Sequence, residues 1–133
     1  MSALNALSRG FTAGAVGGVV NVIFVALAGM TGLIAAMGIG LPAPALPAFL
    51  YKQMVWGGLF GLLFVAPFVK DSWILRGVIV GLIASLAALF IFLPMAGAGI
   101  AGLNAGTLTP VLVLVANSVW GLVAAWFYDR SAG

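Results

Sequence analysis

Apolar residues fill this chain in four long stretches, and the polar positions mark their ends and a few interior points. The stretches run roughly from Gly10 to Met30, Pro47 to Val69, Trp73 to Met95 and Thr109 to Tyr128. Each holds about the 20 mostly apolar residues that a helix needs to cross a bilayer. The pattern predicts an all-α membrane protein of four transmembrane helices in a single domain spanning residues 1–133. The first stretch is too long for the apolar core of a cleavable signal peptide, and Arg9 stands directly against it.

Two of the connections are as apolar as the helices. Residues 31–46 and 97–108 carry no charge and are rich in Gly, Ala and Pro. The first, with Pro42, Pro44 and Pro47, is too apolar for an ordinary wet loop. Two readings stay open: a segment lying in the interface or dipping back into protein, and a longer first helix with a Pro-rich turn.

The chain reads as one helical hairpin written twice. Arg9-Gly10 answers Arg76-Gly77, and Gly10, Gly14 and Gly18 are matched by Gly77, Gly81 and Ser85. Val55-Trp56-Gly57 answers Val119-Trp120-Gly121, with Gln53 and Asn117 each two residues before their triplet. Gly61 and Ala125 follow four after the two glycines, and Pro47 and Pro110 sit near the even-helix starts. Thr109 is placed as an N-cap for the last helix. The repeats would cover about 9–69 and about 76–130. A hairpin returns to its starting side, so the copies would be parallel and build a four-helix bundle with approximate twofold symmetry about the membrane normal.

Residues four apart share a helix face. Gly10, Gly14, Gly18, Gly57, Gly61, Gly77, Gly81 and Gly121 therefore form smooth stripes suited to close helix packing in lipid. Asn21, Gln53, Ser85 and Asn117 interrupt the apolar spans. Asn21 lies about 16 Å from Gly10 and Asn117 about 12 Å from Thr109, so both approach the middle from opposite sides. Such groups need partners in hydrocarbon. They either fix helix register by hydrogen bonding or line a polar path or pocket, and Asn21 and Asn117 are expected to face one interior.

Charge sets the orientation. Among 133 residues there are five Lys and Arg and two Asp and Glu, where a soluble domain devotes about a quarter of its residues to charge. Arg9, Lys70, Arg76 and Arg130 fall on one side of a four-span topology and Lys52 on the other. Basic residues favour the cytoplasm, so both termini are expected there, in a multi-pass protein of the cytoplasmic (inner) membrane. Lys52 is expected to reach outward to the headgroups. Tyr51, Trp73, Trp126 and Tyr128 fall near span ends as interfacial anchors, while Trp56 and Trp120 lie deeper beside glycines.

Composition narrows the chemistry. The chain has no Cys and no His. Disulfides, imidazole or thiolate metal sites and Ser-His or Cys nucleophiles are excluded. Asp71 and Asp129 lie at helix ends beside basic neighbours, which leaves no paired carboxylates for acid-base work. No catalytic residue, cofactor or metal is therefore expected, and the chain does not read as an enzyme. Five scattered basic residues make no nucleic-acid patch. Two classes survive. One is a passive conduit or binding protein for a small solute or ion, completed by homo-oligomerisation. The other is an accessory or assembly subunit of a larger membrane complex. The partners are the lipid bilayer and either a second copy or another integral membrane protein.

Overall fold

The computed structural model describes residues 2–41 and 45–131. All regular elements among them are helical: α1 (Ala3–Met30), α2 (Leu33–Ala36), α3 (Leu46–Gly61), α4 (Trp73–Ala87), α5 (Leu93–Met95) and α6 (Thr109–Arg130). A 3-10 turn (Leu62–Val65) prolongs α3, a π turn (Ala88–Phe92) joins α4 to α5, and a second 3-10 turn covers Ile100–Gly102. Four continuous helical stretches are long and apolar enough to cross a membrane: Ala3–Met30, Leu46–Val65, Trp73–Met95 and Thr109–Arg130. The chain is thus built as a multi-pass membrane protein. Side chains such as Leu4, Ile23, Ile74, Leu82 and Phe90 stand exposed on its outer faces, as lipid requires.

Local chemistry sets the helix ends. The Ser2 hydroxyl accepts from the Asn5 N–H at 3.1 Å, which starts α1 seven residues ahead of Gly10. Ser72 caps α4 in the same way through the Leu75 N–H at 3.2 Å. Pro47 and Pro110 each occupy the first turn of their helix, where a missing N–H is harmless. The second span stops at Val65, short of the expected Val69, because Ala66 precedes Pro67 and takes an extended conformation. Pro94 has no N–H for the carbonyl of Phe90, and its ring crowds that carbonyl. The helix widens there into the π turn, with the Leu93 N–H reaching back to Ala88 O. Thr109 does not cap α6. Leu108 holds that position, and Thr109 lies inside the helix, fully buried, its hydroxyl without a hydrogen-bond partner.

In the connection between the first two spans, α1 ends at Met30 and α2 follows after Gly32, whose φ of +82° suits a residue without a Cβ. The Gly40 N–H donates to Ala105 O at 2.7 Å, tying this connection to the 97–108 connection. Pro42 and Pro44, which prompted the re-entrant reading, lie outside the described residues.

Helix α1 packs along α3 on one side and along α6 on the other, and α6 packs along α4. The spatial order is α3, α1, α6, α4, and α3 scarcely touches α4. Glycine makes the close approaches possible. A Cβ on Gly57 would stand 2.6 Å from Gly14 O, and one on Gly10 would stand 2.9 Å from Gly61 O. Gly18 lies against the Gln53 carbonyl. On the other pair, a Cβ on Gly77 would stand 2.8 Å from Gly121 O, and one on Gly81 2.7 Å from Asn117 O. The contacts thus set Gly77 in the place of Gly14, one turn along from the pairing with Gly10 that the sequence suggests. Gly17, outside the four-residue stripe, meets the Trp120 carbonyl and indole instead. The buried core lies between α4, α6 and the end of α3: Phe64, Val80, Ala84, Trp120, Ala124 and Ala125.

Candidate functional site: an amide-lined cavity

The open seam between α3 and α4 leads into a cavity of about 300 Å³. Leu41, Lys52, Leu93 and Ala96 border it toward the 31–46 and 97–108 connections; Gly57, Phe60 and Trp120 border it at depth. Asn21, Gln53 and Asn117 all contribute to its wall. They arrive from α1, α3 and α6, so no single helix makes the site.

The three amides differ in what they do. Asn21 is buried, and its Nδ2 donates to Ala116 O at 3.0 Å, which pins α1 to α6. Ala116 lies about 10 Å into α6 from Thr109. The amides therefore occupy the part of the protein nearer the 31–46 and 97–108 connections. Gln53 and Asn117 are half-buried, and neither side chain has a hydrogen-bond partner among the described residues. A primary amide offers two donors and an accepting oxygen, so both present unused hydrogen-bonding capacity beside the cavity. Ser85 is not part of this wall. It is fully buried, and its hydroxyl donates to Gly81 O one turn back at 2.8 Å. Lys52 is exposed and stands at the mouth.

Aromatic rings close the cavity at depth. Trp120 is 3% exposed, and its Nε1 donates to Gly14 O at 2.9 Å. Phe60 meets it edge-on with centroids 6.5 Å apart, and Phe64 lies 6.4 Å away on the far side of the cavity floor. Trp120 lies about 16 Å from the start of α6, at mid-length. Trp56, its counterpart in sequence, is 42% exposed and reaches across the seam to Phe92, centroids 4.9 Å apart. The two tryptophans that the sequence treats alike thus do different things: one floors the cavity and the other borders its lateral opening.

Beyond the floor, the end of the molecule that carries both termini gathers Arg9, Lys70 and Arg76 around Tyr128. Tyr128 is not an outward-facing anchor. It is half-buried and stacks on Phe64 with centroids 5.9 Å apart. Trp73 is also half-buried, packed against the core, while Tyr51 and Trp126 are exposed. Sequence reasoning used the two arginines only for orientation. Their convergence on one ring depends on the helix order, and no local signal announces it.

No family model matches this chain, and no similar protein was found among curated proteins or solved structures.

Proposed function

We propose that this protein binds or passively conducts a small polar solute, in the cytoplasmic membrane with both termini in the cytoplasm. One observation carries the reading: Gln53 and Asn117 hold unpaired amides in the wall of a single cavity together with Asn21. Unsatisfied polar groups at membrane depth are costly unless water or a ligand meets them. With two neutral amides and a lysine at the mouth, the wall suits a neutral hydrogen-bonding molecule or a small anion more than a metal cation. The Phe60, Trp120 and Phe64 rings stand as a closed floor, so conduction requires them to move. Oligomerisation would complete the wall where α3 and α4 part. The matching contacts of Gly14 with Gly57 and of Gly77 with Gly121 support an origin from a duplicated hairpin.

Reconstitution into liposomes, followed by light scattering after osmotic challenge with small polar solutes and anions, tests this reading. The reading expects solute-specific swelling that Asn117→Leu removes. Indifference of every solute tried to the protein, with no binding detected in detergent, would refute it.

The open seam favours a second reading, an accessory subunit whose partner helix covers Trp56 and the seam. Gentle extraction and mass measurement of the intact particle separate the two. A self-only oligomer supports the conduit; a constant foreign partner supports the accessory subunit.

A further inference from the structure

At the end that holds both termini, three cations line one cavity of about 410 Å³: Arg9 in the second turn of α1, Lys70 in the connection after α3, and Arg76 in the first turn of α4. Phe64, Pro67 and Tyr128 form its apolar wall, and the exposed Asp129 carboxylate also borders it. Among the described residues, the lining thus holds three cationic side chains and one carboxylate.

The two arginines are held in place. Arg9 Nε donates to Ser131 Oγ at 3.1 Å, and its Nη2 donates to Tyr128 O. Arg76 Nη2 donates to Phe64 O and to Ala66 O, the latter at 3.1 Å. Both guanidinium groups lie over the Tyr128 ring, with Cζ at 4.1 Å for Arg9 and 5.6 Å for Arg76. Their separation cannot exceed the sum of those distances. Arg76 also lies 5.1 Å from the Phe68 ring. Around Arg76, aromatic faces and carbonyl acceptors hold the cation without neutralising it.

For Arg76 the shortage is explicit. Both of its acceptors are neutral carbonyls, and its Nε is buried with no hydrogen-bond partner. A half-buried guanidinium normally acquires a counter-ion. Lys70 is exposed beside it, with no hydrogen bond to the rest of the described chain. Like charges lining one cavity repel each other, and an anion among them would relieve that repulsion.

We propose that this cavity binds a phosphate group, supplied by the headgroup of an anionic membrane lipid. The planar fork of arginine matches phosphate oxygens, and a lysine adds a point charge. The position fits: Arg9 in the second turn of α1 and Arg76 in the first turn of α4 are each followed directly by a glycine and a long apolar run, so both stand near one end of their spans. Basic pockets between transmembrane helices on the cytoplasmic side are a recurring form of lipid-phosphate site. The apolar wall of Phe64, Pro67 and Tyr128 would take the glycerol end of the lipid.

The test uses the full chain in nanodiscs of phosphatidylcholine with and without phosphatidylglycerol, read by thermal unfolding and by native mass spectrometry of retained lipid. Phosphatidylglycerol is expected to be retained and to raise the unfolding temperature. Lys70→Gln and Arg76→Gln should each weaken retention about fivefold, the effect of one surface cation. Asp129→Asn should strengthen retention, a gain that a folding defect cannot imitate. Adding inorganic phosphate to pure phosphatidylcholine discs separates the sources. Stabilisation by phosphate that Lys70→Gln weakens would support the site with a free anion as its ligand. Equal behaviour in both lipids with no response to phosphate would overturn the proposal. So would phosphatidylglycerol retention unchanged in Lys70→Gln, Arg76→Gln and Asp129→Asn.

Discussion

The indole Nε1 of Trp120 donates to the carbonyl oxygen of Gly14 at 2.9 Å, buried between the first and last spans. The approach exists because α1 and α3 both carry glycine where the indole lies: a Cβ on Gly17 of α1 would stand 2.9 Å from Trp120 Cδ1, and one on Gly57 of α3 2.9 Å from Trp120 Nε1. One side chain therefore joins three helices and floors the cavity.

Trp120→Phe keeps most of the ring and removes the donor. It should lower stability by about 1 kcal/mol, the scale of one interhelical hydrogen bond in a membrane protein. Trp120→Ala removes the floor as well and should cost about 3 kcal/mol or more, with faster solute entry in liposomes. Reversible unfolding in mixed micelles measures both. A Trp120→Phe variant as stable as the parent would show that the bond contributes nothing.

The glycine stripes predict sharply unequal effects for similar substitutions. At Gly14, a Cβ would meet the backbone of Gly57 and Gly61, which cannot swing aside as a side chain can. Gly14→Ala should force α1 from α3 and cost about 3 kcal/mol. Gly29, also in α1, has only Ile34 Cδ1 near its Cβ position, at 3.9 Å. Gly29→Ala should leave stability unchanged or raise it by up to about 1 kcal/mol, through helix propensity. Comparable losses at both positions would contradict the packing described here.

If the amides serve a solute, Gln53→Leu and Asn117→Leu should abolish flux or binding while leaving the fold intact, since neither side chain bonds to the described chain. Ser118→Leu is the control: its hydroxyl donates to Leu114 O at 2.7 Å within its own helix, and it does not border the cavity. Asn21→Leu should differ from both, because it breaks the bond to Ala116 O and so lowers stability by about 1 kcal/mol. Solute flux and thermal unfolding on the four variants decide the matter. Indistinguishable flux from Asn117→Leu and Ser118→Leu would leave the amides with a packing role alone.

The chain has no cysteine, so single introduced thiols report topology directly. Ser2→Cys and Ser131→Cys should be shielded from a membrane-impermeant maleimide added to intact cells, while Leu103→Cys, 52% exposed in the 97–108 connection, should react. The opposite pattern would invert the orientation drawn from the basic residues.

By itself, the sequence determined that the chain is helical, with four stretches long and apolar enough to span a membrane, and where those stretches lie to within seven residues. These are properties of one segment at a time. Length, apolar content and four-residue spacing are read along a single axis, and lipid imposes them on every span. The capped extension of α1 to Ala3 and the early stop of α3 before Pro67 were also local matters, decided by Ser2 and Pro67. Only the tertiary structure decided which helix lies beside which. In hydrocarbon an apolar face costs nothing to leave exposed, so hydropathy does not select the buried side. That is why Val55-Trp56-Gly57 and Val119-Trp120-Gly121, alike as triplets, part company: α6 lies between α1 and α4, while α3 sits at the edge of the array. Trp120 is consequently enclosed and Trp56 borders the seam. It is also why Arg9 and Arg76, 67 positions apart, meet over one tyrosine. Their encounter is set by the packing of α1, α4 and α6 at one end of the molecule, which no segment contains alone.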